Sequence, residues 1–293
     1  MVSEEIFAKA EMVIKVKEPQ PNECKMLRAN QILFAYLHLA PDPIQAELLQ
    51  KSGCIAIAYE TVTNQYGGLP LLAPMSEIAG RMAIQAGATC LESKNGGRGM
   101  LLGGVPGVMP AKVVVLGGGN AGSNSARVAA GIGANVVVID KSLERLNSLD
   151  AQFGSSINTV FSTTDSIEEH IRDADLVIGA VLVPGASAPR LVTKEMLRTM
   201  RAGSVIVDVS IDQGGCFETS HVTTHQDPTY IVDGIVHYCV GNMPGAVPRT
   251  SAVALNNATL PFALALAKEG YKAALLRDPH LLNGLNIYKG KIT

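Results

Sequence analysis

Charge is sparse in this sequence. Only 17% of its 293 residues are charged, against 47% apolar. That balance excludes intrinsic disorder and lets a sizeable core be buried. Lysine and arginine are scattered rather than striped, and the net charge is −2. This excludes an electrostatic nucleic-acid surface and a polybasic membrane anchor. The five cysteines (Cys24, Cys54, Cys90, Cys216 and Cys239) are odd in number and show no Cys-x-x-Cys spacing. They read as buried free thiols in a reducing cytosol, not as a disulfide framework. No basic region followed by an apolar run opens the chain, so no signal peptide is expected. No uncharged apolar stretch approaches the roughly 20 residues of a membrane span. The long apolar region over 113–139 is broken by glycines, Asn120, Asn124 and Arg127. A soluble, cytoplasmic protein with no nucleic-acid or membrane partner is expected. No repeat of fixed period occurs, and the length accommodates two modest domains.

What is present is an α/β pattern. Residues 12–17 read as a short strand closed by Glu18-Pro19, residues 31–37 and 54–59 as two more, and residues 43–50 as a helix between the last two. Strand, helix, strand implies parallel pairing. Residues 76–87 have helical spacing, and the glycine-rich stretch from Asn95 to Gly107 reads as a connector ended by Pro110. A regular alternation follows. Strands are predicted at 112–116, 135–139, 159–161, 176–180 and 204–208, with another near 230–232. Helices are predicted at 121–132, 142–152, 166–172 and 194–200. These strands are apolar throughout, as expected when helices cover both faces of a sheet. The expected fold is therefore a doubly wound parallel sheet of Rossmann type, over residues 72–248. Residues 251–269 and 271–276 return to helix. Residues 1–71 and 249–293 are expected to form a second, discontinuous α/β domain.

The strongest local signal is the run Val113-Val114-Val115-Leu116-Gly117-Gly118-Gly119-Asn120-Ala121-Gly122. It holds G-x-G-x-x-G at Gly117, Gly119 and Gly122, between a predicted strand and a predicted helix. Gly117 permits the tight turn, Gly119 clears the approach of a pyrophosphate, and Gly122 lets helix and strand pack closely. The helix N-terminus adds free N–H groups for the phosphates. The next strand ends at Asp140, 18 residues after Gly122, near the spacing of the ribose-binding acid. A carboxylate there favours NAD over NADP, and Arg145 nearby weakens that preference. A glycine-rich turn with an ordinary surface aspartate is the alternative.

Candidate chemical groups sit at predicted strand ends. The unperturbed pKa of an imidazole suits His38 to proton transfer near neutrality, although from position alone a core or surface histidine is the simpler reading. Lys17 and Lys15 alternate by two along a predicted strand, which leaves open which of them enters a cleft. Asp212 follows the strand at 204–208 and precedes two glycines, where a turn-forming aspartate is equally at home. Cys216 lacks a neighbouring base and reads as structural. Glu60 reads as a supporting carboxylate or a solvated one. The six histidines show no metal-ligand spacing, so no metal is expected.

At these residues the chain resembles the alanine dehydrogenase family. The matching stretches are Ile14-Lys15-Val16-Lys17-Glu18-Pro19, Leu37-His38-Leu39-Ala40, Ala58-Tyr59-Glu60-Thr61-Val62, Leu72-Ala73-Pro74-Met75-Ser76-Glu77 and Gly103-Gly104-Val105-Pro106-Gly107-Val108. Further on come Gly179-Ala180-Val181-Leu182-Val183-Pro184-Gly185, Ile211-Asp212-Gln213-Gly214-Gly215-Cys216 and Tyr238-Cys239-Val240-Gly241-Asn242-Met243-Pro244. The resemblance implies reversible oxidative deamination of L-alanine to pyruvate and ammonia with NAD, in a homohexamer. It implies that Lys17 binds substrate and polarises its carbonyl or imine. His38 becomes an acid/base or oxyanion-stabilising group, and Asp212 acts in the proton chemistry. Ser76, Gly117, Gly119, Asn120, Ala121, Gly122, Asp140, Arg145, Val181, Leu182, Ile211, Asp212, Asn242 and Met243 then line the NAD site. Against the family pattern, the sequence begins after a strand-and-helix segment holding an arginine for the substrate carboxylate, and stops before a closing helix. On that reading the substrate domain is truncated, and NAD binding is expected to survive better than alanine turnover. Two alternatives are the NAD-binding subunit of a transhydrogenase and a catalytically silent NAD-binding or oligomerisation module. A lysine-forming or lysine-cleaving dehydrogenase of the saccharopine type is a third.

Overall fold

Along each central apolar run, successive side chains enter two different cores. Val113 and Val115 join one with Val136, Val138, Ile178 and Val207. Val114 and Leu116 join the other with Val137, Ile139, Val177 and Ile206. A strand alternates its side chains between the two faces of its sheet, so both faces are covered. Each such side chain, buried fully, contributes roughly 1.5–3 kcal/mol.

The computed structural model describes residues 3–40, 42–183 and 187–293. The chain runs α1 (Ser3–Lys9), β1 (Met12–Ile14), α2 (Pro21–Met26), β2 (Ile32–Ala35), α3 (Pro43–Ser52), β3 (Ile55–Ala58) and α4 (Ala73–Cys90). It continues through β4 (Lys112–Leu116), α5 (Asn120–Ile132), β5 (Asn135–Asp140), α6 (Leu143–Phe153), β6 (Asn158–Phe161), α7 (Thr164–Arg172) and β7 (Leu176–Gly179). Then come α8 (Lys194–Arg198), β8 (Val205–Asp208), β9 (Thr229–Val232), β10 (Ile235–Tyr238), α9 (Pro248–Arg277), α10 (Pro279–Leu282), β11 (Leu285–Tyr288) and β12 (Lys291–Ile292). Two compact units result, one of Met1–Pro74 with Arg249–Thr293, the other of Met75–Pro248.

The unit of Met75–Pro248 holds a seven-stranded sheet in the order β6-β5-β4-β7-β8-β10-β9. Every neighbouring pair is parallel except β9 with β10. Strand order reverses at β4, flanked by β5 and β7, and ligands of open α/β sheets bind beyond such a switch point. This is the doubly wound Rossmann arrangement. The other unit carries β1-β2-β3-β11-β12, parallel over β1–β3 and antiparallel thereafter. Its core gathers Val13, Leu33, Leu37, Leu49, Ala56 and Ile287.

Several sequence expectations need correction. The strand expected over 12–17 ends at Ile14, because Ile14 and Val16 are exposed (49% and 53%) and supply no buried face beyond that point. Pairing persists more loosely, through Lys15 N–H to the Phe34 carbonyl (3.3 Å) and Tyr36 N–H to the Val16 carbonyl (3.2 Å). The helix expected from Ser76 starts at Ala73, so Ser76 lies inside its first turn. The helical segments expected at 251–269 and 271–276 are both present: α9 is two helices that meet at a kink, where Gly270 leaves the helical region (φ 75°). By length and composition α9 is also long and apolar enough to cross a membrane, with mean hydropathy 1.2, a segment the sequence reading passed over. It carries Asn256, Asn257 and Pro261 at mid-length; one stripe of Leu255, Thr259, Ala263 and Leu266 is buried, while Val253, Leu260 and Leu264 are exposed.

Candidate functional site

The glycine turn follows β4 directly. Gly117 adopts φ 93°, and a Cβ there would lie 2.7 Å from the Ala180 carbonyl oxygen. At Gly122 a Cβ would meet the Gly117 carbonyl at 1.8 Å, so strand and helix approach as closely as backbone allows. Gly119 is different: a Cβ there would meet nothing within 4 Å. Gly119 and Asn120 are exposed and Ala121 is half-buried, so open space adjoins the start of α5. The first N–H groups of a helix lack intrahelical acceptors. Open space, free donors and the positive end of the helix dipole together fit a pyrophosphate. Ser76 sits in the first turn of α4, whose Gly80 packs on α5: a Cβ on Gly80 would lie 2.0 Å from the Ala121 carbonyl, and Ser125 donates to the Gly80 carbonyl (2.8 Å).

Asp140 closes β5 beside that turn. One carboxylate oxygen accepts the Gly118 N–H (2.7 Å) and the other the Ser142 N–H (2.8 Å). Each oxygen keeps a lone pair for a ribose hydroxyl. The Arg145 guanidinium donates its Nε–H to the Gly118 carbonyl and so braces the turn. Gly118 lies outside the fingerprint positions, yet a Cβ there would strike Leu149 at 2.7 Å.

Three further loops leave the same sheet edge. After β7, Val181 donates its N–H to Ser210 Oγ (2.9 Å) and accepts the Ser210 hydroxyl (2.8 Å). Leu182, next along, is exposed; Pro184 and Gly185 lie outside the described residues. After β8 a 3-10 turn over Ile211–Gln213 buries Ile211 and leaves Asp212 exposed. Asp212 accepts the Asn242 N–H (3.2 Å). Asn242 is in the left-handed region (φ 55°) and precedes the 3-10 turn that buries Met243. Cys216 is fully buried and burial pushes its thiol well above the ordinary range, so it is structural, as its sequence context implies. His237 is buried on β10; burial pushes its pKa down to about 4, and it pairs with Thr219 (2.8 Å).

In the other unit, four charged groups gather at the end of β2. The continued pairing past Ile14 delivers Lys17 and Glu18 beside His38. The Glu18 carboxylate takes His38 Nδ1. Glu60, in the 3-10 turn after β3, accepts the N–H groups of Leu37 (3.1 Å) and His38 (2.6 Å). His38 needs that anchor, because its φ is 45°, a conformation uncommon outside glycine. Its ring stacks on Tyr36 at 5.7 Å. The hydrogen bond to Glu18 raises the His38 pKa, with Glu60 adding to it against the opposing pull of burial and Lys17. Burial alone would raise the Glu18 carboxyl; the bond from His38, its own backbone N–H and the charge of Lys17 outweigh that and hold it below the usual value. Lys15 and Lys17 part company here. Lys15 is half-buried and paired with Glu23, whereas Lys17 is exposed and makes no ion pair among the described residues.

Sequence reasoning singled out Lys17, His38 and Glu60, and the structure places them in one cluster. It passed over Glu18 and Asp208. Glu18 faces a partner 20 residues away and carries no local signal. Asp208, a carboxylate closing the otherwise apolar strand Val205–Asp208, was visible as an oddity.

A Rossmann sheet with this glycine turn, joined to a second α/β unit bearing a lysine, a histidine and two carboxylates, defines a dinucleotide-dependent oxidoreductase. The description "Alanine dehydrogenase/PNT, N-terminal domain" matches residues 1–79, and "Alanine dehydrogenase/PNT, C-terminal domain" matches residues 83–293. The chain belongs to this family. It is 60% identical over 284 residues to alanine dehydrogenase of Halomonas elongata, spanning 97% of this chain and 76% of that one. It is 53% identical over 292 residues to alanine dehydrogenase of Methanococcus maripaludis, spanning 99% and 78%. A solved L-alanine dehydrogenase superposes with TM-score 0.93 at 52% identity, over 99% of this chain and 80% of that one. A transhydrogenase from Sinorhizobium meliloti, at 22% identity and TM-score 0.84 over 100% and 84%, shares the fold.

Proposed function

We propose that the chain catalyses reversible, NAD-dependent oxidative deamination of L-alanine to pyruvate and ammonia. The observation that carries this reading is the open, donor-rich turn Gly117–Gly122 beside an oriented Asp140. Gly119, Asn120, Ala121 and Gly122 hold the pyrophosphate, and Asp140 takes the adenosine ribose. Ser76, Arg145, Val181, Leu182, Ile211, Asn242 and Met243 shape the rest of the dinucleotide site. NAD supplies the two-electron acceptor when bound. Because Nδ1 of His38 is engaged by Glu18, Nε2 is the ring nitrogen that exchanges a proton with the substrate. Lys17 stabilises negative charge on the carbonyl oxygen, and Asp212 serves the proton chemistry.

The protein works in the cytoplasm, which five buried free thiols suit, and assembles as a homohexamer. Exposed Leu101, Val105, Val108 and Met109 provide apolar surface for such assembly. Mixing the purified protein with alanine and NAD, then with alanine and NADP, tests the activity. NADH formation with the first pair and little reduction with the second is the expected result. Tight NAD binding by calorimetry with no alanine-dependent reduction overturns the activity while leaving the dinucleotide site standing.

A further inference from the structure

Two carboxylates of the dinucleotide-binding unit are buried, Asp175 and Asp208, and Asp175 is paired with Arg98. Asp208 is fully buried and makes no ion pair among the described residues, yet donors surround it. Oδ1 accepts the Ser210 N–H (3.0 Å). Oδ2 accepts the Cys216 N–H (3.0 Å) and the Ser220 hydroxyl (2.6 Å). The backbone closes around it at Gly215, where a Cβ would lie 2.7 Å from Oδ2. A carboxylate offers only acceptors, and an amide would turn its NH2 towards some of these donors. The donors belong to both ends of the loop that carries Ile211 and Asp212. Ser210 also reaches onward, exchanging hydrogen bonds with the N–H and carbonyl of Val181 in the loop after β7.

We propose that Asp208 is a positioning residue: acting through Ser210, it locks the loop after β7 to the loop after β8, so that Val181 and Asp212 are held in one fixed relation before dinucleotide and substrate arrive. The role of those two loops in catalysis rests on the alanine dehydrogenase reading; the lock itself does not. A misplacement of about an ångström in such groups costs up to about a hundredfold in rate.

Asp208→Asn is the direct test, read in two ways. Amide exchange, followed by mass spectrometry, is expected to quicken together in 179–183 and 209–216 while the β9–β10 hairpin keeps its protection. Turnover of alanine per NADH-binding site, which cancels any misfolded fraction, is expected to fall about tenfold or more, with NADH affinity weakened by a smaller factor. Should Asp208→Asn not yield folded protein, Ser220→Ala removes a single donor and is expected to give the same paired loosening in smaller measure. Faster exchange confined to 209–216 overturns the proposal. So does turnover per site within about twofold of the parent in Asp208→Asn. If the parent protein turns over no alanine, the functional reading fails, and the exchange data alone decide on the lock.

Discussion

Glu18 and His38 meet across twenty residues of chain, carboxylate on Nδ1, at the point where β2 gives way to a left-handed backbone. Each stabilises the charged form of the other. The histidine's raised pKa contributes stability that is fully present below its unfolded value and lost as pH rises through the folded one. The carboxyl's lowered pKa contributes stability present above its unfolded value and lost as pH falls through the folded one. The pair is therefore most stabilising between the ordinary carboxylate and imidazole ranges. With His38 as the proposed base, the rate of alanine oxidation is expected to climb as the imidazole loses its proton. Glu18→Gln removes the largest support for that proton and is expected to move the rising limb of the kcat/KM–pH profile to lower pH. A limb that stays in place would sink this account of His38.

Lys15 and Lys17 are expected to respond unequally to alanine substitution. Lys17→Ala should lower alanine turnover by about a hundredfold or more, the scale of a lost charge-stabilising group. Lys15→Ala breaks only the contact with Glu23 and should cost within about 1 kcal/mol of stability, with kinetics near the parent's. Parallel steady-state assays and thermal melts separate the two; equal kinetic losses would contradict the assignment.

Gly119 and Gly122 form a matched pair of tests. Gly119→Ala adds a methyl to open space at a φ of −63°, so the melting temperature should hold while NAD affinity drops about tenfold or more, because the methyl occupies the pyrophosphate approach. Gly122→Ala drives a methyl into the Gly117 carbonyl and should destabilise the unit by about 1–3 kcal/mol or more. Calorimetry with NAD and thermal denaturation report the two effects.

Glu60 holds two backbone N–H groups through its side chain. Glu60→Ala leaves them without that acceptor, at a cost on the order of 1–3 kcal/mol, and frees the strained backbone of His38. Alanine turnover is expected to fall while NAD affinity, which depends on a different unit, stays unchanged. Loss of NAD binding in this variant would show that Glu60 acts otherwise.

Legibility followed chemistry that repeats locally. β4, β5, β7 and β8 declared themselves because strands covered on both faces become unbroken apolar runs, and the fingerprint declared itself because phosphate approach demands glycine at fixed intervals. The hairpins β9–β10 and β11–β12 were only half-read or missed. Yet each turns through two residues with positive φ, Asp233-Gly234 (49° and 80°) and Lys289-Gly290 (50° and 74°), and Asp-Gly is a strong hairpin signal. That cue stands in the sequence at 233–234. Which lysine stands free was not legible, since Lys15 finds its partner on α2 through tertiary folding. Nor was the hold of Glu18 on His38, which depends on pairing that outlasts the regular strand.

All five thiols are buried, and burial pushes those of Cys24, Cys90 and Cys239 up to about 11. Maleimides and other soft electrophiles thus find little thiolate to attack in the folded protein. A cysteine introduced on an exposed helix would accept a fluorophore or spin label selectively, with no need to strip the native five, and the chain could carry optical or magnetic reporters as it stands.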